Sequence, residues 1–174
     1  MTRGDRFVIM GVDPGSSVTG YGVIETVKGE ASLIDYGTIQ TDPGCLPEGK
    51  LKRIYDGLSR IIRKTGPDEF AIEKAFYSKN ARTAMVMGQV RGVAILASAQ
   101  ARIPVAEYSP REIKQSIVGS GGASKSQVQF MVKNLLSLME IPEPEDAADA
   151  LAVALCHAQK VTQNRRIVQG TKEL

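Results

Sequence analysis

The sequence predicts an α/β protein: one mixed five-stranded sheet with helices on both faces. Three observations lead there. Residues 7–15, FVIMGVDPG, begin with an apolar run containing the β-branched Val8 and Ile9, the composition of a strand buried on both faces, and close with Asp13-Pro14-Gly15, which stops a strand and turns the chain. The same grammar, a short apolar run ending in an acid, recurs at 70–73 (FAIE) after a helical stretch, so a second strand lies parallel to the first. The overall order is three strands, then alternating helix and strand, then two closing helices, which a sheet with a layer on each side accommodates.

In chain order, SSVTGYGVIE after Gly15 returns as a second strand within a few residues, an antiparallel hairpin with a hydroxyl-rich loop. Lys28-Gly29-Glu30 turns again, and 31–40 (ASLIDYGTIQ) completes the meander before a Gly- and Pro-rich loop at 42–49. At 51–64, Leu51, Ile54, Leu58, Ile61 and Ile62 recur at spacings of three and four, the period of an amphipathic helix; Lys52, Arg53, Arg60, Arg63 and Lys64 face out, and Thr65-Gly66-Pro67 ends it. Residues 81–101 predict a long helix with only two charges and many small residues. So apolar a helix is expected to be covered on more than one side, by its own sheet and by a second subunit through Gly88, Gly92, Ala94 and Ala97. A strand at 103–108 follows. Ser109-Pro110 then reads as an N-cap and first helical position, opening a helix at 111–118. Residues 119–125 (GSGGASK) form an exposed glycine loop, 124–138 a helix, Pro142-Glu143-Pro144 a break, and 145–160 the last helix. One domain spans 1–162; the polar tail 163–174, basic around Arg165-Arg166, is expected to fray.

The 174 residues suffice for one real core, and 43% hydrophobic with 24% charged residues is an ordinary globular mixture. No apolar run reaches membrane-spanning length, and no long apolar stretch follows Arg3 and Arg6 to make a secretory signal, so the expected location is cytoplasmic. Cys45 and Cys156 have no metal-like spacing and read as reduced thiols. A net charge of +3 permits a nucleic-acid partner without requiring one.

Four carboxylates are the candidates for chemistry. Asp13 and Glu73 end parallel neighbours, and parallel neighbours place their ends about 5 Å apart. Asp146 and Asp149 stand three apart at the start of the last helix and share one face. Each has a plainer reading: Asp13 as a turn former, Asp146 and Asp149 as first-turn acids complementing the helix dipole. If the last helix crosses the sheet edge, the four converge; clustered like charges then need a cation, and oxygen-only ligands suit Mg²⁺ or Mn²⁺. There is no Cys/His set for zinc, and the single histidine, His157, reads as a partly buried or surface residue rather than a general base. Lys114 and Lys125 flank the glycine loop, with Lys79, Arg82, Arg91, Arg111 and Lys133 as further candidates for phosphate contact. In a chain with only 5% aromatic residues, Phe76 and Tyr77 directly after Glu73 are candidates either to stack on nucleobases or to cap the core.

With these residues in view, the chain resembles the RuvC family of Holliday junction resolvases over nearly its whole length. The matching segments are GVDPGSSVTGYGVI at 11–24, AIEKAFYSKN at 71–80, GQVRGVA at 88–94, YSPREIKQSIVGSGGASKSQVQFMV at 108–132 and DAADALAVALCHA at 146–158. The resemblance implies an RNase H-like (retroviral integrase-like) fold and a homodimer that binds four-way DNA junctions. It implies paired symmetric nicks by two-metal-ion hydrolysis with Mg²⁺, for which Mn²⁺ substitutes, leaving 5′-phosphate and 3′-hydroxyl ends in recombination and repair. It implies Asp13, Glu73, Asp146 and Asp149 as the metal-holding acids, Lys114 and Lys125 as functional lysines, Phe76 as the aromatic at the crossover, and a branch-migration complex as partner. Three rivals fit less well. A ribosomal RNA precursor nuclease on the same fold leaves the glycine loop with Lys125 and the KAFY segment unexplained. A noncatalytic junction binder needs no acid cluster. An actin-like phosphotransferase needs a second domain for which 174 residues leave little room.

Overall fold

A computed structural model describes residues 6–74 and 80–170, with side chains through Gln163. The strands are β1 (Arg6–Asp13), β2 (Val18–Val27), β3 (Glu30–Gln40), β4 (Glu69–Glu73) and β5 (Val105–Tyr108); the helices are α1 (Pro47–Thr65), α2 (Ala81–Gln100), α3 (Pro110–Val118), α4 (Lys125–Leu135) and α5 (Glu145–Gly170). Strand order is β3-β2-β1-β4-β5, with β1, β2 and β3 antiparallel and β4 and β5 parallel to β1. The mixed five-stranded sheet expected from the sequence is therefore present.

Strand alternation sorts the core into two layers. Phe7, Ile9 and Ala71 pack with α3, α4 and α5; Val8, Met10, Val12, Phe70 and Ile72 pack with α1 and α2. Continuing the alternation two residues past Gly11 and Ala71 puts Asp13 and Glu73 on the α5 face, at the same edge of the sheet. α1 buries Ile54, Leu58, Ile61 and Ile62 and ends at Gly66, whose φ of 56° is the left-handed conformation glycine adopts freely.

The most enclosed helix is α5, not 81–101. Every residue from 150 to 158 of α5 is buried, whereas α2 turns only Val90, Ala94, Ala97 and Ser98 inward and exposes its first turns. Ala94 and Ala97 thus sit inside the protomer and cannot form a subunit contact, which corrects their expected role; Gly88 and Gly92 are exposed with open space in front of them. The helical backbone of α5 also runs on to Gly170, ten residues beyond the expected stop at 160, because no glycine or proline interrupts 161–169. Among the described residues no helix is long and apolar enough to cross a membrane.

α5 lies directly on a floor of glycines. A Cβ on Gly11 would fall 2.3 Å from the carbonyl oxygen of Ala150, one on Gly20 would fall 1.9 Å from that of Asp146, and one on Gly22 would fall 2.6 Å from the Leu151 side chain. These three glycines and the alanines of α5 bring helix backbone against sheet backbone.

Candidate active site

Gly20 pairs with Asp13 across β1 and β2 and meets the Asp146 backbone above, so the glycine floor fixes the start of α5 beside the end of β1. The loop after Asp13 is tied down on its other side. Buried Thr19 donates to the Gly15 carbonyl at 2.8 Å, and Thr41 donates to the Ser16 carbonyl at 2.8 Å and through its amide to that of Ser17 at 2.9 Å. Asp146 and Asp149 share one face of α5, and Asp149 together with Glu73, Lys114 and Lys125 lines a cavity of about 200 Å³ floored by Ile113, Val128 and Ala152. Lys125 opens α4, where Ser124 and Gln127 form a reciprocal cap.

Burial and mutual repulsion set the protonation of the acids. Burial, then the charges of Glu73, Asp149 and Asp146, push Asp13 up to about 7, with Lys125 opposing. Burial and the charge of Asp149 raise Glu73, against the pull of Lys114 and Lys125. Burial raises Asp149 as well, although Lys125 bonds to it. The Lys125 ammonium stands 2.9 Å from Asp149 Oδ2 and 3.0 Å from Glu145 Oε2; burial disfavours its charge, but these two bonds outweigh burial and hold it above the ordinary lysine value. Four coupled carboxylates on three elements, β1, β4 and α5, are a hard-oxygen donor set of the kind Mg²⁺ takes. Among the described residues no three such side chains are drawn into a closed ligand shell: like charges hold apart, and Lys125 takes up Asp149.

This electrostatics has a measurable consequence. The folded protein holds the Asp13 proton up to about pH 7, whereas an unfolded aspartate releases it near 3.8. The stabilisation is complete below 3.8 and is lost as pH rises through 7. Urea unfolding in excess chelator is therefore expected to show stability falling from pH 4 to pH 7, and millimolar Mg²⁺ to abolish the fall. A pH-independent midpoint in chelator would contradict the coupled cluster.

Other expected residues disperse. Arg91 pairs with Glu107 at 2.8 Å and ties α2 to β5. Arg111 lays its stem against Gly121 and lines a separate recess with Gln159 and Lys160. Arg82 is exposed in the first turn of α2, and Lys133 is half-buried on α4. Phe76, Tyr77 and Lys79 lie outside the described residues. His157 is buried rather than partly buried or on the surface: its Nδ1 is 2.7 Å from the Tyr108 hydroxyl, and its Nε2 bonds to Glu69. Sequence reasoning missed Glu145 as partner of Lys125. It also missed the glycine floor, whose only signal was Gly20 and Gly22 inside a strand, where a glycine marks a close backbone approach.

A mixed five-stranded sheet with acids at the ends of β1 and the parallel β4, and a helix crossing the same edge, is an RNase H-like fold. The family model of crossover junction endodeoxyribonuclease RuvC matches residues 9–157. The crossover junction endodeoxyribonuclease RuvC of Desulforamulus reducens is 53% identical over 152 residues, covering 87% of this chain and 93% of that relative. That of Pelotomaculum thermopropionicum is 49% identical, covering 92% and 98%. Thermus thermophilus RuvC in complex with Holliday junction substrate superposes with a TM-score of 0.86 at 32% identity, covering 91% of this chain and 96% of that one. The yeast mitochondrial Holliday junction resolvase Ydc2, at 15% identity and a TM-score of 0.65, shares the fold. This chain belongs to the RuvC family of crossover junction endodeoxyribonucleases.

Proposed function

We propose that this chain resolves four-way DNA junctions by paired symmetric nicks, hydrolysing one phosphodiester in each of two strands to leave 5′-phosphate and 3′-hydroxyl ends. The observation that carries the reading is the convergence of Asp13, Glu73, Asp146 and Asp149 on one sheet edge, within the span that matches the family. Asp13, Glu73, Asp146 and Asp149 would hold two Mg²⁺ ions, with Mn²⁺ able to replace them, and such ions supply an activated water and a stabilised leaving oxygen. The chain's own part is positional. The glycine floor fixes the acids; Lys114, at the rim of the cavity, meets a phosphate oxygen; and Lys125 neutralises charge that develops beside Asp149. Phe76, with Tyr77 and Lys79, engages bases and backbone at the crossover, and Arg82 and Arg111 add outlying phosphate contacts. The protein works in the cytoplasm during recombination and repair, beside a branch-migration complex.

The active species in this reading is a two-fold homodimer paired through the outer face of α2, where Met85 is 69% and Leu96 49% exposed around Gly88 and Gly92. Gly92 is exposed and a Cβ there meets nothing within 4 Å, so Gly92→Trp places its bulk on the outer face of α2, where it burdens the subunit contact. Wild type is expected to cut a four-way junction in preference to linear duplex or structured RNA, and to linearise a supercoiled cruciform plasmid in one binding event. Gly92→Trp is expected to sediment as a folded monomer and release nicked circles. A wild type that remains monomeric on the junction and still linearises the plasmid would overturn the paired-site reading.

A further inference from the structure

α1 holds a concentration of charge that the acid site does not use. It carries six basic residues against two acids, a net of +4, more than the +3 of the whole chain. Arg53, Arg60 and Lys64 recur at i, i+7 and i+11 and so lie along one stripe, with Gly57 between them. That stripe forms one wall of a groove of about 670 Å³ whose other wall is β3 and whose floor includes Tyr21 and Ile39. Gly57 lets α1 sit close on β3 at the groove floor: a Cβ there would strike Ile39 at 2.7 Å. Lys64 is paired with Asp35 at 2.8 Å and Lys52 with Asp56 at 2.6 Å. Arg53 donates its Nε to the Gln40 carbonyl, and among the described residues no carboxylate pairs with Arg53, Arg60 or Arg63.

The groove opens at the catalytic edge. Gly20 pairs with Asp13 on one side and Thr38 on the other, and Thr38 and Gln40 line the groove mouth. Two strand spacings, about 10 Å, separate the Asp13 and Thr38 backbones along that edge, with the Asp13 side chain on the α5 face of the sheet and the groove on the α1 face. From Arg53 to Lys64 the stripe runs about 17 Å at the helical rise, which matches roughly five base-pair steps of a duplex.

We propose that the α1–β3 groove is a second phosphate-binding surface, which follows the sugar–phosphate backbone of one duplex arm as it leaves the cleavage edge. The ligand is the polyanionic backbone, read without regard to sequence: exposed guanidinium groups on a rigid helix supply charge and donors, and no base-reading element accompanies them. Asp35 and Asp56 keep Lys64 and Lys52 extended along the wall and give them up to phosphates. The inference rests on the junction-binding reading above and adds a contact to it.

The experiment measures junction affinity by fluorescence anisotropy across a salt series for wild type and Arg53→Gln/Arg60→Gln/Lys64→Gln, with circular dichroism to verify folding. Neutral methylphosphonate patches are moved stepwise outward along one arm. Each phosphate contact contributes about 0.9 to the slope of log K against log salt, so the triple variant is expected to lose about 2 to 3 from that slope. Wild type is expected to weaken when the patch sits within about ten nucleotides of the nick, and the variant to be indifferent to a patch at that position. Equal slopes, or a variant that responds to every patch as wild type does, would overturn the groove contact. A wild type that does not prefer the junction to linear duplex would instead sink the junction-binding reading itself. A folded Arg60→Gln alone that lowers the slope by about one supports the groove even if the triple variant fails to fold.

Discussion

Asp13→Asn is expected to cut the nicking rate at saturating junction on the order of a thousandfold, about 4 kcal/mol of transition-state stabilisation, while the protein still binds the junction. Asparagine keeps the size of the side chain but removes the charge. Asp13 is the acid on which burial and three neighbouring carboxylates bear together. The same substitution is therefore expected to stabilise the protein in chelator at pH 8, where wild type must keep that repelled charge ionised. Junction affinity should hold or tighten, since a negative charge facing phosphate is gone. Opposite signs for rate and stability separate a metal-holding acid from a turn-forming one: a structural aspartate would lose stability on becoming asparagine. Single-turnover cleavage and urea unfolding on one preparation test both. Glu73→Gln and Asp149→Asn should behave alike, as should Asp146→Asn in rate.

Gly20→Ala is expected to be as damaging with no chemical group removed. The added methyl would lie 1.9 Å from the Asp146 carbonyl oxygen and 3.2 Å from the Ala147 amide nitrogen, both backbone atoms that no rotamer change can move. Overpacking costs about 1–3 kcal/mol when side chains can yield, and more where backbone must. The start of α5 is pushed off the sheet, so Asp146 and Asp149 leave Asp13 and cleavage is lost with stability. Gly22→Ala meets Leu151 Cδ2 at 2.6 Å and its backbone Cα only at 2.9 Å, a looser main-chain contact than at Gly20, and should cost less, and Gly44→Ala, with nothing within 4 Å, should cost nothing. Thermal unfolding and cleavage of the three variants give the ranking. A Gly20→Ala protein that melts and cuts like wild type would show that α5 is not seated as described.

Much of this fold was legible because apolar period and turn chemistry agree locally. The 51–64 pattern, the acid-terminated runs and the Ser109-Pro110 start each state their structure within a dozen residues. The placement of the four acids was legible for the same reason: each lies at the end or the start of an element, and topology brings such ends to one sheet edge. What could not be read depends on contacts between distant segments. A glycine inside a strand looks the same whether it accommodates a turn or a helix from the far end of the chain, so Gly20 carried no visible tie to Asp146. The small-residue stretch 81–101 and the alanine-rich 145–158 both look fit for burial, and composition could not tell that the second takes the centre of the sheet while the first keeps an open face. The bond from Lys125 to Glu145 likewise depends on where two helix starts happen to meet.

Seating a helix backbone on a glycine floor has a consequence for how this protein tolerates change. In most sheet–helix pairs the spacing is set by intervening side chains, so each core substitution moves the helix a little. Here the separation is fixed by main-chain atoms at Gly11 and Gly20. Residues such as Val128, Val132 and Ile117, which fill the outer layer around α5, can therefore vary in shape while the distance between the acids stays put. Drift in the surrounding core is thereby mechanically decoupled from catalysis, and the glycine floor bears the constraint.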